Sequence, residues 1–396
     1  MLVTACLALT SFPYDSTDLR KFLPANSWND QSVANKKNYS NQPITQQTLG
    51  TLIRSLPSWL QDYIEFHRQS LQDLSRENWK SRRYLIVRCY FEDQCGGTSD
   101  RIKGIPLFLL WAARSNRTLF IRWTRPYPLE EFMLPVTINW TVPGWMSDIL
   151  DSSDVNDFRR LVRASLLESV TRKTSKEFTI LEGMMHSPDG GGNRYENLTG
   201  TSRKDYGPDY HYIFRAFFQP TPPIAHILSR FFQETGLKPG QYAVAHQRAL
   251  YSPDASKYPT LKITAAAINA VNCASQLMPG APIFFASDSA LGSDAVREYA
   301  RTQNRSIVTR DDLSKQPVHL EFGHPRGVNL SSPPPPSDYY ATFVDLWIMG
   351  NGRCVAFGPG GFGSWGLIVG YNVSCGYRYF KKPPCRWLDG NHDTRQ

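Results

Sequence analysis

Apolar residues along this chain follow two spacings. From Leu52 to Leu74 they recur at three- and four-residue steps, which predicts an amphipathic helix broken at Pro57. Tyr84-Leu-Ile-Val-Arg-Cys-Tyr90 has the short continuous pattern of a buried strand, and Gln94-Cys-Gly-Gly-Thr-Ser-Asp100 that of a turn. Arg101 to Arg114 is an apolar helix that Ser99 or Asp100 can cap, and Arg117-Thr-Leu-Phe-Ile-Arg-Trp123 is the next strand. Strand, glycine turn, helix and strand within about 40 residues predict a βαβ unit with a right-handed crossover.

A second series begins near residue 236. Tyr242-Ala-Val-Ala-His246, Pro282-Ile-Phe-Phe-Ala-Ser-Asp288, Ser306-Ile-Val-Thr309 and Cys354-Val-Ala-Phe357 read as strands. Leu261–Leu277, Asp294–Thr302 and Ser337–Met349 read as helices between them. Alternation in both halves predicts an α/β protein with two doubly wound domains. The expected organisation is a polar stem over 1–46, a helical lead-in over 47–82, an N-terminal domain over 83–232, a C-terminal domain over 233–378 and a tail over 379–396. Residues 186–208 are polar and read as a long loop, and Pro333 to Pro336 as a rigid connector.

Composition narrows the class. Of 396 residues 41% are hydrophobic and 20% charged, which excludes wholesale disorder and a coiled coil. No apolar run reaches the roughly 18 residues of a membrane-spanning helix, and the only candidate anchor, Leu2 to Leu9, is short and lacks a basic start. The net charge of +9 favours an anionic partner, but Arg and Lys are scattered, so nucleic acid is not expected. Seven Asn-x-Ser/Thr sequons begin at Asn38, Asn116, Asn139, Asn197, Asn304, Asn329 and Asn372. Chance gives about two or three, so the excess favours a secretory lumen, with Asn139 expected to be buried beside Trp140. Seven cysteines without a C-x-x-C pair fit one or two disulfides in that compartment better than a zinc site.

Four turns follow strands, where open α/β sheets bind ligands. Gly96-Gly97 precedes a helix and can offer N–H groups to a phosphate or sugar. His246-Gln-Arg248 closes a strand, with the Arg fork suited to a phosphate. Asp288, flanked by Ser287 and Ser289, can accept from a ribose, a sugar or a loop backbone. Gly360-Gly-Phe-Gly-Ser364 sets one ring, Phe362, among glycines that include Gly361 and Gly363. Each has a plain structural alternative: a tight turn, a salt bridge or a helix cap. No Asp-x-Asp or G-x-S-x-G occurs, and the Gly96-Gly97 turn is neither a P-loop nor G-x-G-x-x-G.

These motifs, in this order, resemble the GDP-fucose-dependent fucosyltransferases, among them the nodulation and core α-1,6-, xyloglucan and protein O-fucosyltransferases. The likeness spans about residues 83–375: Cys95-Gly-Gly-Thr-Ser-Asp-Arg-Ile-Lys-Gly-Ile105, Leu119-Phe-Ile-Arg-Trp123, His246-Gln-Arg248, Ala286-Ser-Asp288 and Gly361-Phe-Gly363. It implies a GT-B type fold, two facing Rossmann-like domains with an interdomain cleft. It implies a Golgi or endoplasmic-reticulum enzyme that inverts at the sugar carbon, needs no metal or other cofactor, and moves fucose from GDP-fucose to a glycan or protein hydroxyl. Arg248 would hold the β-phosphate, His246 would steady the sugar or diphosphate, and Asp288 and Phe362 would line the nucleotide. Gly96 and Gly97 would approach the fucose, and Asp100 is the candidate base. Two departures motivate an alternative, a catalytically altered member that binds carbohydrate or nucleotide, or a transferase using another nucleotide sugar. Ala249, Leu250 and Tyr251 follow Arg248 where α-1,6 relatives place a second Arg and an Asp, and Gly361 and Gly363 stand where relatives commonly have Ser.

Overall fold

The computed structural model describes residues 50, 53–54, 56–90, 93, 95–102, 104–162, 179–184, 211–249, 260–310, 320, 334–370, 375–379 and 385–387. The loop expected over 186–208, the stem over 1–46, Leu250 and Tyr251 lie outside them.

Two sheets organise these residues. The first runs β2 (Thr118–Trp123), β1 (Tyr84–Cys89), β5 (Ile180–Met184), β4 (Arg159–Val162), parallel throughout. The second runs β12 (Arg386–Trp387), β11 (Gly376–Arg378), β10 (Cys354–Phe357), β7 (Ala243–Gln247), β8 (Ile283–Ser287), β9 (Ile307–Val308), parallel except at its β12 edge. A small antiparallel pair joins β3 (Met133–Pro135) to β6 (Phe218–Pro220). The fold is thus α/β with parallel sheets. The second sheet extends past residue 378, so part of the expected tail is a strand, and it is anchored there by the Cys273–Cys385 disulfide.

Every residue of β1 is buried, as a strand covered on both faces requires. Leu85 and Val87 enter one core with Leu119 and Ile121; Tyr84 and Ile86 enter another with Trp79, Phe120 and Ile180. The free edge of β2 is closed by α1 (Ser58–Gln72), which starts just after Pro57. The Tyr63 hydroxyl accepts from Leu119 N–H (3.0 Å) and donates to Arg117 C=O (2.9 Å), while His67 Nε2 donates to Leu119 C=O (2.9 Å). Side chains of the lead-in helix therefore satisfy strand groups that an open edge would leave exposed.

The helix expected over 101–114 is two helices, α2 (Thr98–Ile102) and α3 (Ile105–Arg114). Gly104 and Pro106 separate them, since proline has no N–H to continue the ladder and its ring crowds the preceding turn. Beyond α4 (Gly144–Asp151), α5 (Pro222–Thr235) sets Phe231 on Phe284 and Phe232 on Tyr242, so it packs on the second sheet although the expected boundary at 232 cuts through it. Further helices among the described residues are α6 (Thr260–Leu277), α7 (Ala290–Gln303), α8 (Tyr340–Gly350) and α9 (Gly361–Val369). Among the described residues no helix is long and apolar enough to cross a membrane.

Three disulfides form where one or two were expected: Cys89–Cys95, Cys273–Cys385 and Cys354–Cys375. Asn139 is exposed, not buried; Trp140 turns inward instead and donates to Phe217 C=O.

Candidate functional site

The carboxyl edge of the second sheet is built around the end of β7. His246 is buried, and its ring lies 5.5 Å from that of Phe362. Burial, and then the charge of Arg248, hold its pKa down to about 3, so the imidazole is neutral. Its Nδ1 is buried without a hydrogen-bond partner among the described residues. Arg248 follows, half-buried.

The backbone around Arg248 is tied on both sides. Tyr379 Oη donates to His246 C=O (2.7 Å), and Asp288 Oδ1 accepts from Ala249 N–H (2.7 Å). Gln247, between His246 and Arg248, is structural: Nε2 donates to Ile263 C=O in α6 (2.7 Å), and Oε1 accepts from Ser287 Oγ (3.2 Å). Ser289 caps α7, its hydroxyl accepting from Gly292 N–H, and the helix starts at Ala290, earlier than the expected Asp294. Of the readings open for Asp288, the contact seen is the one with loop backbone. Ser289, expected among the substrate-binding residues, has its hydroxyl committed to the cap.

The turn after β10 is a helix start. Gly360 has φ 98°, a left-handed conformation that suits glycine, and α9 begins at Gly361 with no side-chain cap. The first N–H groups of such a helix are unsatisfied and carry its positive end, the arrangement that attracts a phosphate. A Cβ on Gly363 would lie 2.6 Å from His246 Nδ1 and 2.5 Å from Phe357 Cβ. A Cβ on Gly361 would lie 2.8 Å from Ser99 Oγ and 3.8 Å from Asp100 Oδ1. The two glycines let the first turn of α9 meet β7 on one side and α2 on the other.

The first sheet supplies the α2 side. Cys95, bonded to the last residue of β1, precedes Gly96, whose φ is 73°. Asp100 folds back so that Oδ2 accepts from Gly97 N–H (3.2 Å). Arg101, fully buried, donates to Gly96 C=O (2.8 Å), Arg125 C=O (2.6 Å) and Leu320 C=O (2.7 Å), and stacks over Trp123. One guanidinium thus fixes the glycine turn to two other segments.

The structure brings Gly361 against Ser99 and Asp100, and Gly363 and Phe362 against His246, with Arg248 one residue beyond the strand. Sequence reasoning missed Tyr379, Ser99 and Arg101. Ser99 was in view only as a cap, and the alternation of Tyr377 and Tyr379 about Arg378 was the available signal for the tyrosine.

No family model matches the chain, and no curated protein matches it. Solved structures do. A point mutant of Arabidopsis thaliana FUT1 in complex with GDP aligns over 91% of this chain and 86% of its own, with 12% identity and a TM-score of 0.53. POFUT1 in complex with GDP aligns over 80% of this chain and 81% of its own at 11% identity, with a TM-score of 0.30. The fold therefore resembles that of the FUT1 structure. At this identity the likeness is one of fold.

Proposed function

We propose that the protein is an inverting fucosyltransferase of GT-B type, with two Rossmann-like units facing across a cleft, the second beginning at α5 and continuing past residue 378 to β12. The reading rests on one observation above others: the first turn of α9 is wedged between Ser99 and Asp100 of α2, which follows the first sheet's β1, and His246 of β7 in the second. That joins an anion-attracting helix start, an Arg at a strand end and a glycine turn, and the fold resemblance to GDP-bound proteins supports it.

In this reading Arg248 and the α9 N-terminus bind the diphosphate of GDP-fucose, with no metal required. Neutral His246 and the Phe362 ring border the donor, Asp288 holds the Arg248 backbone, and Gly96 and Gly97 let the sugar come close. An acceptor hydroxyl of a glycan or glycoprotein attacks the anomeric carbon from the face opposite GDP. The new C–O bond forms as the bond to the β-phosphate oxygen breaks, and the hydroxyl proton passes to a base, for which Asp100 is the candidate. Arg248 stabilises charge as it grows on the leaving diphosphate. Three disulfides accord with an oxidising lumen of the secretory pathway.

The test is calorimetric titration with GDP followed by transfer assays across a panel of nucleotide sugars. GDP binding with GDP-fucose as preferred donor, and turnover abolished in Arg248→Ala without loss of fold, is the expected result. Near-normal turnover in that variant defeats the proposal. GDP binding without transfer from any donor points instead to a catalytically altered member.

A further inference from the structure

We propose that Asn116 and Asn304 carry N-linked oligosaccharides, and that these sit at the edge of each sheet away from the candidate site. The inference rests on the lumenal reading above, but not on the fucosyltransferase reading. Both residues begin sequons, Asn116-Arg-Thr118 and Asn304-Arg-Ser306. Both are exposed, both have φ 49°, and both occupy the tight turn between a helix and the next parallel strand, α3 to β2 and α7 to β9. Neither side-chain amide has a hydrogen-bond partner among the described residues, so each Nδ2 faces solvent.

Topology sets where the sugar would stand. In a parallel sheet the helix-to-strand turns lie at the amino ends of the strands, and the strand-to-helix turns at the carboxyl ends. Gly96, His246, Asp288 and Gly361 all belong to carboxyl ends, and Asn116 and Asn304 to amino ends. Along β2 alone, six residues at about 3.3 Å each put about 20 Å between the edges. A bulky hydrated chain at these turns buries nothing and obstructs nothing at the opposite edge. The six described cysteines are all paired, in accord with the oxidising compartment where the modifying enzymes work.

A plain alternative accounts for the asparagines but not for Thr118 and Ser306. Asn tolerates the left-handed conformation that ends a helix, as Asn304 does at the C-cap of α7. Nothing in that role calls for a hydroxyl two residues later. Thr118 is buried as the first residue of β2, so transfer to Asn116 must precede pairing of that strand; Ser306 remains exposed. In the transfer Nδ2 loses a proton and bonds to the anomeric carbon of a lipid-diphosphate oligosaccharide, whose bond to the diphosphate breaks. Asn139, outside any helix-to-strand turn, is also exposed, and its Oδ1 accepts from Thr141 Oγ1 (2.5 Å).

The experiment is secretion of the full chain from a eukaryotic host behind a cleavable leader. Digestion with peptide N-glycosidase in heavy-oxygen water and peptide mass analysis follow, with alkylation of free thiols in parallel. Residues 116 and 304 are expected as heavy-labelled aspartate. Ser306→Ala should abolish the label at 304 and leave the melting temperature of the deglycosylated protein unchanged, because the helix cap is intact. Unlabelled 116 and 304 in protein whose cysteines resist alkylation would overturn the inference while sparing the lumenal reading. Free thiols at the paired cysteines would sink both.

Discussion

Tyr379 reaches across a strand to hold His246. Strand order places β11 two positions from β7, with β10 between them. Tyr379, just past β11, spans the gap over Gly358, where a Cβ would lie 2.9 Å from its ring and hydroxyl, and donates to the carbonyl of His246 over 2.7 Å. Burial, reinforced by the charge of Asp288, keeps the phenol protonated by raising its pKa. A residue from the end of the chain thereby fixes the backbone next to Arg248.

Tyr379→Phe should therefore lower stability by about 1 kcal/mol, the usual worth of one buried hydrogen bond. It should also weaken GDP binding, because the His246–Arg248 backbone loses one of its two ties. Gly358→Ala should cost more, since its methyl displaces the ring as well as the bond. Urea unfolding and GDP calorimetry on both variants check this. If Gly358→Ala behaves like the wild-type protein, the ring does not pass over that position.

The second tie is the Asp288 carboxylate on Ala249 N–H. Asp288→Ala should weaken GDP affinity by about tenfold, on the order of 1.4 kcal/mol, through the freed Arg248 backbone. Asp288→Asn keeps a carbonyl oxygen to accept the same N–H and should restore most of that affinity. Equal losses in Ala and Asn would instead assign the negative charge itself a role, as direct contact with a ligand group requires.

The βαβ unit at β1 and β2 was legible because both strands are continuous apolar runs buried on both faces. β5 was not, because Glu182 stands in its middle. That carboxylate is fully buried and accepts from Arg88 (2.9 Å) and from the Tyr90 hydroxyl (2.9 Å), and Arg88 also pairs with Asp93. Periodicity cannot register an ion pair made over 94 residues. The glycines at 361 and 363 stood out, but their reason did not. They read as part of a glycine-rich turn after a strand, whereas they are the close-approach positions of the helix itself. Tyr379 was hidden for a topological reason, since its reach depends on the order β11-β10-β7. In sequence Cys385 lies nearest Cys375, yet its partner is Cys273 on α6, a pairing that spacing cannot reveal.

Gly363 and Gly361 should respond differently to the same change. Gly363→Ala drives a methyl into Phe357 Cβ and the His246 ring, both fixed in the core, and should cost about 1–3 kcal/mol with loss of GDP binding. Gly361→Ala meets the Ser99 hydroxyl, which Ser99→Ala removes; the remaining Ser99 Cβ is 3.7 Å away, an ordinary contact. The double variant should recover the stability lost in Gly361→Ala, while Ser99→Ala should do nothing for Gly363→Ala. Additive losses at 361 and 99 would mean that the two segments do not touch in solution.

Acid should loosen the fold through two imidazoles. His67 donates to Leu119 and is held at a pKa of about 4 by burial, against which the backbone hydrogen bond works only in part. His246 is held at about 3 by burial and by Arg248. In the unfolded chain both return to about 6.5. Between 6.5 and these depressed values the unfolded state takes up protons that the folded state refuses. The stabilisation is therefore complete above pH 6.5, falls as the pH drops, and levels off below about 3. For His67 alone the shift corresponds to about 3 kcal/mol. Urea unfolding at intervals from pH 7 to pH 4 should show a shallower loss in His67→Gln, whose amide can still donate to Leu119 but does not titrate. Identical slopes in the variant and the wild-type protein would remove His67 from the account and leave the acid response to other groups.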